Sequence, residues 1–449
     1  MGVIQIGNRF PPLTNSLKSC KLRLNKPFYP EHSRRSGTLE DFEIINTIEP
    51  LISIQKGTSM KIRLVILGVV LGSFFATMYC AKYEGNPVGA NFFQRDDRGS
   101  EEFLVFQAAT SDTFYHTQIP TGSSPYLYLG QNAEDQTRIL LFFSDLPDSG
   151  RVDTAIVTLH TSRVLGPATG AFAASVYRIT DEWDESTTTW DIFENSGLTG
   201  EEIATVDISA DEITANNDSL AITFALPSSL VEAWMDTNVV PQNHGVLISH
   251  SSAPFIVEFF SKNHVENDPS LTLHVTQDAT QDTLVIFPEE DTFIATTQLD
   301  PTSDLLFIAN GAALRSLLFF DVDTIPYDAT INRALLTLYA DTTQSFPDHS
   351  ETFEIRAYPI SDRSWPIPWV PYDTTRVIRG SIEGDSAVIN ITPLLQEWTS
   401  YSIENNGILL LGEDENENLL RRVFHSTSAD SALRPKLETF YSLPPSSRL

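Results

Sequence analysis

Cysteine is nearly missing from these 449 residues: Cys20 and Cys80 are the only two, and both precede residue 101. The remainder can hold no internal disulfide and no thiolate metal site, so its stability must come from apolar burial. Basic charge is scarce as well. Lys and Arg number 29 against 59 Asp and Glu, a net charge of −30, and so acidic a surface repels phosphate backbones and anionic headgroups. Nucleic acid is excluded as a partner. Polyanionic glycans would need a local basic patch or bridging cations, whereas neutral glycans meet no such barrier. Catalytic signatures are missing too: there is no G-x-S-x-G, no H-E-x-x-H, no glycine-rich phosphate loop and no cysteine nucleophile past residue 80. The chain reads as non-enzymatic and as needing no cofactor.

What is present suffices for folding, since 41% of residues are apolar and 10% aromatic. Residues 60–81, MKIRLVILGVVLGSFFATMYCA, set Lys61 and Arg63 before an apolar run ending at Cys80, the layout of an export signal peptide or membrane anchor. Residues 1–59 then read as unstructured, or as a product of a misplaced start codon. Cys80 stands where a lipoprotein cysteine would, although Met78 and Tyr79 replace the small residues expected before it. Residues 82–100 read as a linker. The protein is expected in the cell envelope or outside the cell, touching membrane only through this segment.

Self-comparison reveals two copies, 101–278 and 281–443. Asp112-Thr113-Phe114, RILLFF at 138–143, Leu146-Pro147 and the strand Ala155–Leu159 are answered in order by Asp291-Thr292-Phe293, RSLLFF at 315–320, Ile325-Pro326 and Ala334–Leu338. VYRITDEW at 176–183 answers AYPISDRSW at 357–365, Trp234 answers Trp398, and Gly245-Val246-Leu247-Ile248 answers Gly407-Ile408-Leu409-Leu410. Phe260-Ser261 and Pro269-x-Leu271 likewise answer His425-Ser426 and Pro435-x-Leu437. Within each copy, short runs rich in Val, Ile, Leu, Phe and Thr alternate with Gly, Pro, Asn, Asp and Ser clusters, the pattern of strands and turns. Each copy is predicted to be all-β, a jelly-roll-like sandwich of roughly eight to ten strands with one short helix. That helix is SSLVEAW after Pro227 or LLQEW after Pro393, the latter with Thr392 as N-cap. The stretch 277–281 reads as a short, semi-rigid linker.

These ordered anchors resemble the DNRLRE domain family of bacterial and archaeal surface proteins, which is related to alginate-binding carbohydrate-binding modules and disaggregatase-type repeats. The resemblance spans about residues 101–443 and implies paired jelly-roll sandwiches in an accessory or adhesive role. No catalytic domain accompanies them, unlike the enzyme-linked members.

Several residues are candidates for specific roles. Trp183, Trp365, Trp234 and Trp398 recur in register and are expected in the cores. Trp190 and Trp369 lie in unshared, loop-like contexts, and with Tyr372 they are the candidate sugar-stacking residues. Tyr126 and Tyr128 are expected to pack. Arg138 and Arg315 each open an apolar strand and need acidic partners, for which the recurring Asp112 and Asp291 are the first choices as structural ion pairs. The acidic loops DEWDE at 181–185, DVD at 321–323 and EDENEN at 413–418 read as solvated, and they are compatible with a structural Ca²⁺ though none has EF-hand spacing. His244, His250, His264 and His274 read as plain surface residues. The function these features imply is non-catalytic binding or adhesion to a polysaccharide or cell-surface glycan. The alternatives are a structural spacer or assembly component without a small ligand, and then a polysaccharide-active enzyme, which would show a cleft lined by carboxylates.

Overall fold

The computed structural model describes residues 101–107, 111–216, 219–236, 238–300, 304–346 and 352–444. The extension 1–59, the export segment, Cys80 and the linker 82–100 lie outside them. The chain is all-β, with two large antiparallel sheets, each curled into a sandwich around its own core.

The first sheet comprises β3 (Tyr126–Gln131), β4 (Asp135–Phe142), β5 (Arg151–Leu165), β6 (Ala171–Ile179), β7 (Thr199–Ser209), β8 (Ala221–Leu226), β9 (Val246–His250), β10 (Ile256–Phe260), β11 (Ser270–Gln277), β12 (Thr280–Ile286) and β13 (Glu290–Thr297). The second comprises β14 (Leu305–Ala309), β15 (Leu314–Phe319), β16 (Thr330–Tyr339), β17 (Glu354–Pro359), β18 (Ile378–Glu383), β19 (Ser386–Asn390), β20 (Ile408–Gly412), β21 (Arg421–His425) and β22 (Lys436–Ser442). It is completed by the two earliest strands, β1 (Glu101–Gln107) on β22 and β2 (Ser111–His116) on β15.

Strand for strand the sheets correspond: β3 pairs with β4 as β14 does with β15, β4 with β9 as β15 with β20, and β5 with β11 as β16 with β22. The opening strands, however, are displaced by one body. Strand β13, from the start of the second copy, lies on β4 of the first, while β2 of the first copy lies on β15 of the second. The spatial bodies therefore differ from the sequence units 101–278 and 281–443. The first is contiguous, from about residue 121 to 297, and the second is 304–442 closed by 101–116. The expected linker at 277–281 is instead the tight turn of the β11–β12 hairpin, with Asp278 and Ala279 both at positive φ.

Alternation builds the two-faced strands, as in β8, where every second residue of AITFAL is buried, and in β16. Strands β9 and β20 are buried on both faces, because Phe193 and Trp183 cover the outer side of the first sheet there and Val370 and Trp365 that of the second. Both follow a glycine that the geometry requires. Gly245 (φ +84°) and Gly407 (φ +101°) pass so close to the neighbouring strand that a Cβ would stand 2.1 Å from the Leu141 carbonyl oxygen or 2.6 Å from that of Leu318.

Among the described residues three helices, not one, belong to the first body: α1 (Trp190–Ser196), α2 (Ala210–Ala215) and α3 (Ser228–Trp234). The second has the expected α4 (Thr392–Thr399). Helix α1 was hidden in an acidic, Thr-rich stretch; Thr189 caps it, accepting from the Ile192 N–H, and Phe193 anchors it. Thr392 is not the N-cap of α4: that position falls to Ile391, and the Thr392 hydroxyl bonds Asn390 and the Ala334 N–H instead.

Candidate functional site

The predicted ion pairs are not formed. Arg138 pairs with Glu194 and Arg315 with Glu415, the latter through two bonds of 2.8 and 2.7 Å. Asp291 lies opposite Leu141 and Asp112 opposite Leu318, three residues along the strand from the arginines. Cross-strand partners share a face and an odd offset reverses it, so each Asp faces away from the Arg of its neighbouring strand. The aspartates hold turns instead. Asp291 accepts the Lys262 N–H at 2.7 Å, and Asp112 accepts the Thr427 N–H at 2.6 Å.

Two of the three candidate stacking residues serve the arginines. Trp190 is half-buried against Leu140, Phe193 and Leu247, and the Arg138 guanidinium lies 4.1 Å from its ring centre. Tyr372 packs on Tyr358 at 5.0 Å, with Arg315 6.0 Å from its ring. Trp369 is 77% exposed on the second body. Tyr128 is fully buried and donates to Glu258, and Tyr126 packs beside Phe260 and His264.

The acidic loops are engaged in part, since Glu185 holds Lys262, Glu413 holds Arg356 and Arg379, and Asp321 caps the N–H of Asp323, while Asp181, Glu182, Asp321, Asp323 and Asp414 are exposed as expected. Among the described residues no cluster of three or more His, Cys, Asp or Glu is placed to hold a metal ion. The histidines are dispersed. His250 bonds the Gly130 carbonyl and burial lowers its pKa, His264 and His274 make local bonds, and His244 lines a cavity.

That cavity is a cleft of about 490 Å³ at one end of the first body. Phe142, at the end of β4, Trp183, from the loop covering the sheet, and Trp234, closing α3, give it an aromatic floor. The Trp183 indole N–H donates to the His244 carbonyl at 2.9 Å, and Asn243 donates to the Phe143 carbonyl at 2.7 Å, which fixes the loop that forms one wall. Glu182, Asp236, Glu289 and Glu290 line the cleft with Gln242, Asn243 and Ser144; among the described residues no Lys or Arg lines it, and the nearby Lys262 ammonium is held by Glu185 and the Glu289 carbonyl. Burial, and then the charges of Asp184 and Glu185, hold the Glu290 carboxyl above its ordinary pKa.

The cleft does not end at its own rim. It shares Gln242 and His244 with a depression of about 460 Å³ that also touches Arg178, Thr180, Val240 and Pro241. It shares Ser144 and Glu289 with another of about 530 Å³, bordered by the exposed Leu284, Val285 and Phe287. The three adjoin one another on the surface of the body.

Sequence reasoning placed Trp183 and Trp234 in the core and missed the site. Trp234 is indeed only 5% exposed, but Trp183 is half-buried, and Glu289 and Glu290 come from the opening of the other copy. The available signal lay in matching stretches of unlike charge: Glu182, between Asp181 and Trp183, against Arg363-Ser364, between Asp362 and Trp365, and Glu289-Glu290 against Thr110-Ser111. No protein-family model matches the chain, and no curated protein matches it in sequence, so the groove has to be understood from its own chemistry.

Proposed function

We propose that this protein is a non-catalytic, exported glycan-binding or adhesive protein that holds a polysaccharide chain along the groove of its first body. The observation that carries this reading is the run of three adjoining depressions centred on Phe142, Trp183 and Trp234. Aromatic faces stack on the apolar faces of sugar rings, and the carboxylates and amides beside them accept and donate to hydroxyls. A row of adjoining depressions suits a chain rather than a single small molecule. The resemblance to surface-protein modules of the DNRLRE type points the same way.

Affinity-gel retardation of the protein in a panel of neutral, cationic and acidic polysaccharides tests the reading. Retardation by at least one, weakened by Phe287→Ala at the exposed groove wall, is expected; no retardation by any of them, with or without calcium, removes it. A second reading, polysaccharide hydrolysis, is favoured by one observation, the partly buried Glu290 with its raised pKa among other carboxyls, since a glycosidase needs one carboxyl kept protonated. Release of reducing ends from a bound polysaccharide, abolished by Glu290→Gln, would establish it over the non-catalytic one.

A further inference from the structure

The duplication supplies an internal comparison for the cleft. Phe319 ends β15 as Phe142 ends β4, and both are half-buried. Trp365 donates its indole N–H to the Asn406 carbonyl at 2.8 Å, as Trp183 does to that of His244. Asn405 donates to the Phe320 carbonyl as Asn243 does to that of Phe143. The second body thus has the same aromatic floor, and a cation lies on it: the Arg363 guanidinium is 3.5 Å from the Phe319 ring centre and 5.5 Å from that of Trp365. In the first body the residue that follows the matching aspartate is Glu182, in a segment one residue shorter before its Trp. The three other carboxylates of the cleft, Asp236, Glu289 and Glu290, align with Ser400, Thr110 and Ser111. One floor carries a cation on its rings and has no acids at these positions, whereas the other has four acids and no cation on its rings, the nearby Lys262 ammonium being held by Glu185 and the Glu289 carbonyl.

We infer that the first body's cleft takes a cationic group from its ligand onto the Phe142 and Trp183 rings, and that the polysaccharide it selects is one bearing free amino groups, a de-N-acetylated hexosamine polymer. This rests on the glycan-binding reading above. The ammonium would face the aromatic rings, which attract cations through their quadrupoles, with carboxylates of Glu182, Asp236, Glu289 and Glu290 around it. The sugar ring beside it would stack, and the chain would continue along the groove. Glu290, whose ionisation is opposed by burial and by neighbouring acids, gains a counter-charge when such a ligand binds. A uronate or sulfated chain meets the same field with the wrong sign.

The test is titration calorimetry of the full chain with oligomers of glucosamine, their N-acetylated counterparts, a neutral glucan of equal length and oligoarginine, at a mildly acidic pH where the sugar amines are protonated. The glucosamine oligomer is expected to bind at least roughly tenfold more tightly than its acetylated form, and to weaken as salt rises. Glu182→Arg, which gives the cleft the cation of the other copy at an exposed position, is expected to abolish that preference while thermal unfolding is unchanged. Equal or tighter binding of the acetylated or neutral oligomers would overturn the inference and leave the glycan reading standing. Binding of oligoarginine with no glycan bound would overturn both.

Discussion

The carboxylate of Asp291 accepts a hydrogen bond from the backbone N–H of Lys262 at 2.7 Å. Asp291 opens the second sequence copy and Lys262 belongs to the first, so the bond ties the copies together at the level of the sheet. Its counterpart, Asp112 with Thr427, does the same in the opposite sense. The aromatic pairs repeat the pattern: Phe293 sits 4.8 Å from Tyr128, and Phe114 sits 4.7 Å from Phe307.

From this arrangement, a substitution in the first copy should damage the second body. Phe114 is 2% exposed and packs with Phe307, Leu314 and Val423. Phe114→Ala is expected to cost about 3–5 kcal/mol. Hydrogen exchange should quicken across residues 304–442 and stay slow across 124–260. Quickening confined to the first body would refute the assignment of β2.

Asp291 makes stability depend on pH. Burial, the largest influence, lifts its carboxyl to about 7 despite the Lys262 N–H and charge, and Glu185 and Asp268 add to the rise. A carboxyl raised in the folded state stabilises while protonated. That contribution is fully present below about pH 4, near the unfolded value, and is lost as pH rises through about 7. The melting temperature should therefore fall across this window, and Asp291→Asn, which keeps an acceptor for Lys262, should flatten the fall and stabilise the protein at pH above about 7. A slope unchanged by the substitution would show that another group is responsible.

The buried guanidinium of Arg421, in β21, reaches into the first body, where Asp135 and Glu134 accept from it, the latter at 3.0 Å. Removing one partner strands a buried charge. Asp135→Ala should destabilise by about 3 kcal/mol, the lower end of the usual range because Glu134 remains. Calorimetry should show the two bodies beginning to unfold separately. A single transition at the original temperature would mean that the pair contributes nothing to their coupling.

Much of the fold was legible in the sequence because it was written twice. Gly245 and Gly407, the R-x-L-L-F-F strands, and Trp234 and Trp398 occupy equivalent places for reasons that local patterns carry: a positive φ, an alternating face, a helix end. The arginine partners were not legible. Glu194 sits on a helix whose signals were masked by acidic and Thr-rich sequence, and Glu415 lies 100 residues from Arg315 in a loop that reads as solvated. The candidate site was hidden for a related reason, since its aromatic floor belongs to positions shared by both copies while its charges belong to positions that are not. Looking for stacking residues among unshared tryptophans led to Trp190, which Arg138 covers.

The sequence by itself determined that there would be two equivalent β units, what each strand would bury, and that no disulfide could staple residues 101–449. Only the tertiary structure decided which unit each opening strand would join, and with that which side chains would meet in the groove. The reason is that β2 and β13 share Asp-Thr-Phe and can each satisfy the edge of either R-x-L-L-F-F strand. The shared motif does not distinguish the two pairings, and in the structure Asp291 holds the turn at Lys262 and Asp112 the turn at Thr427.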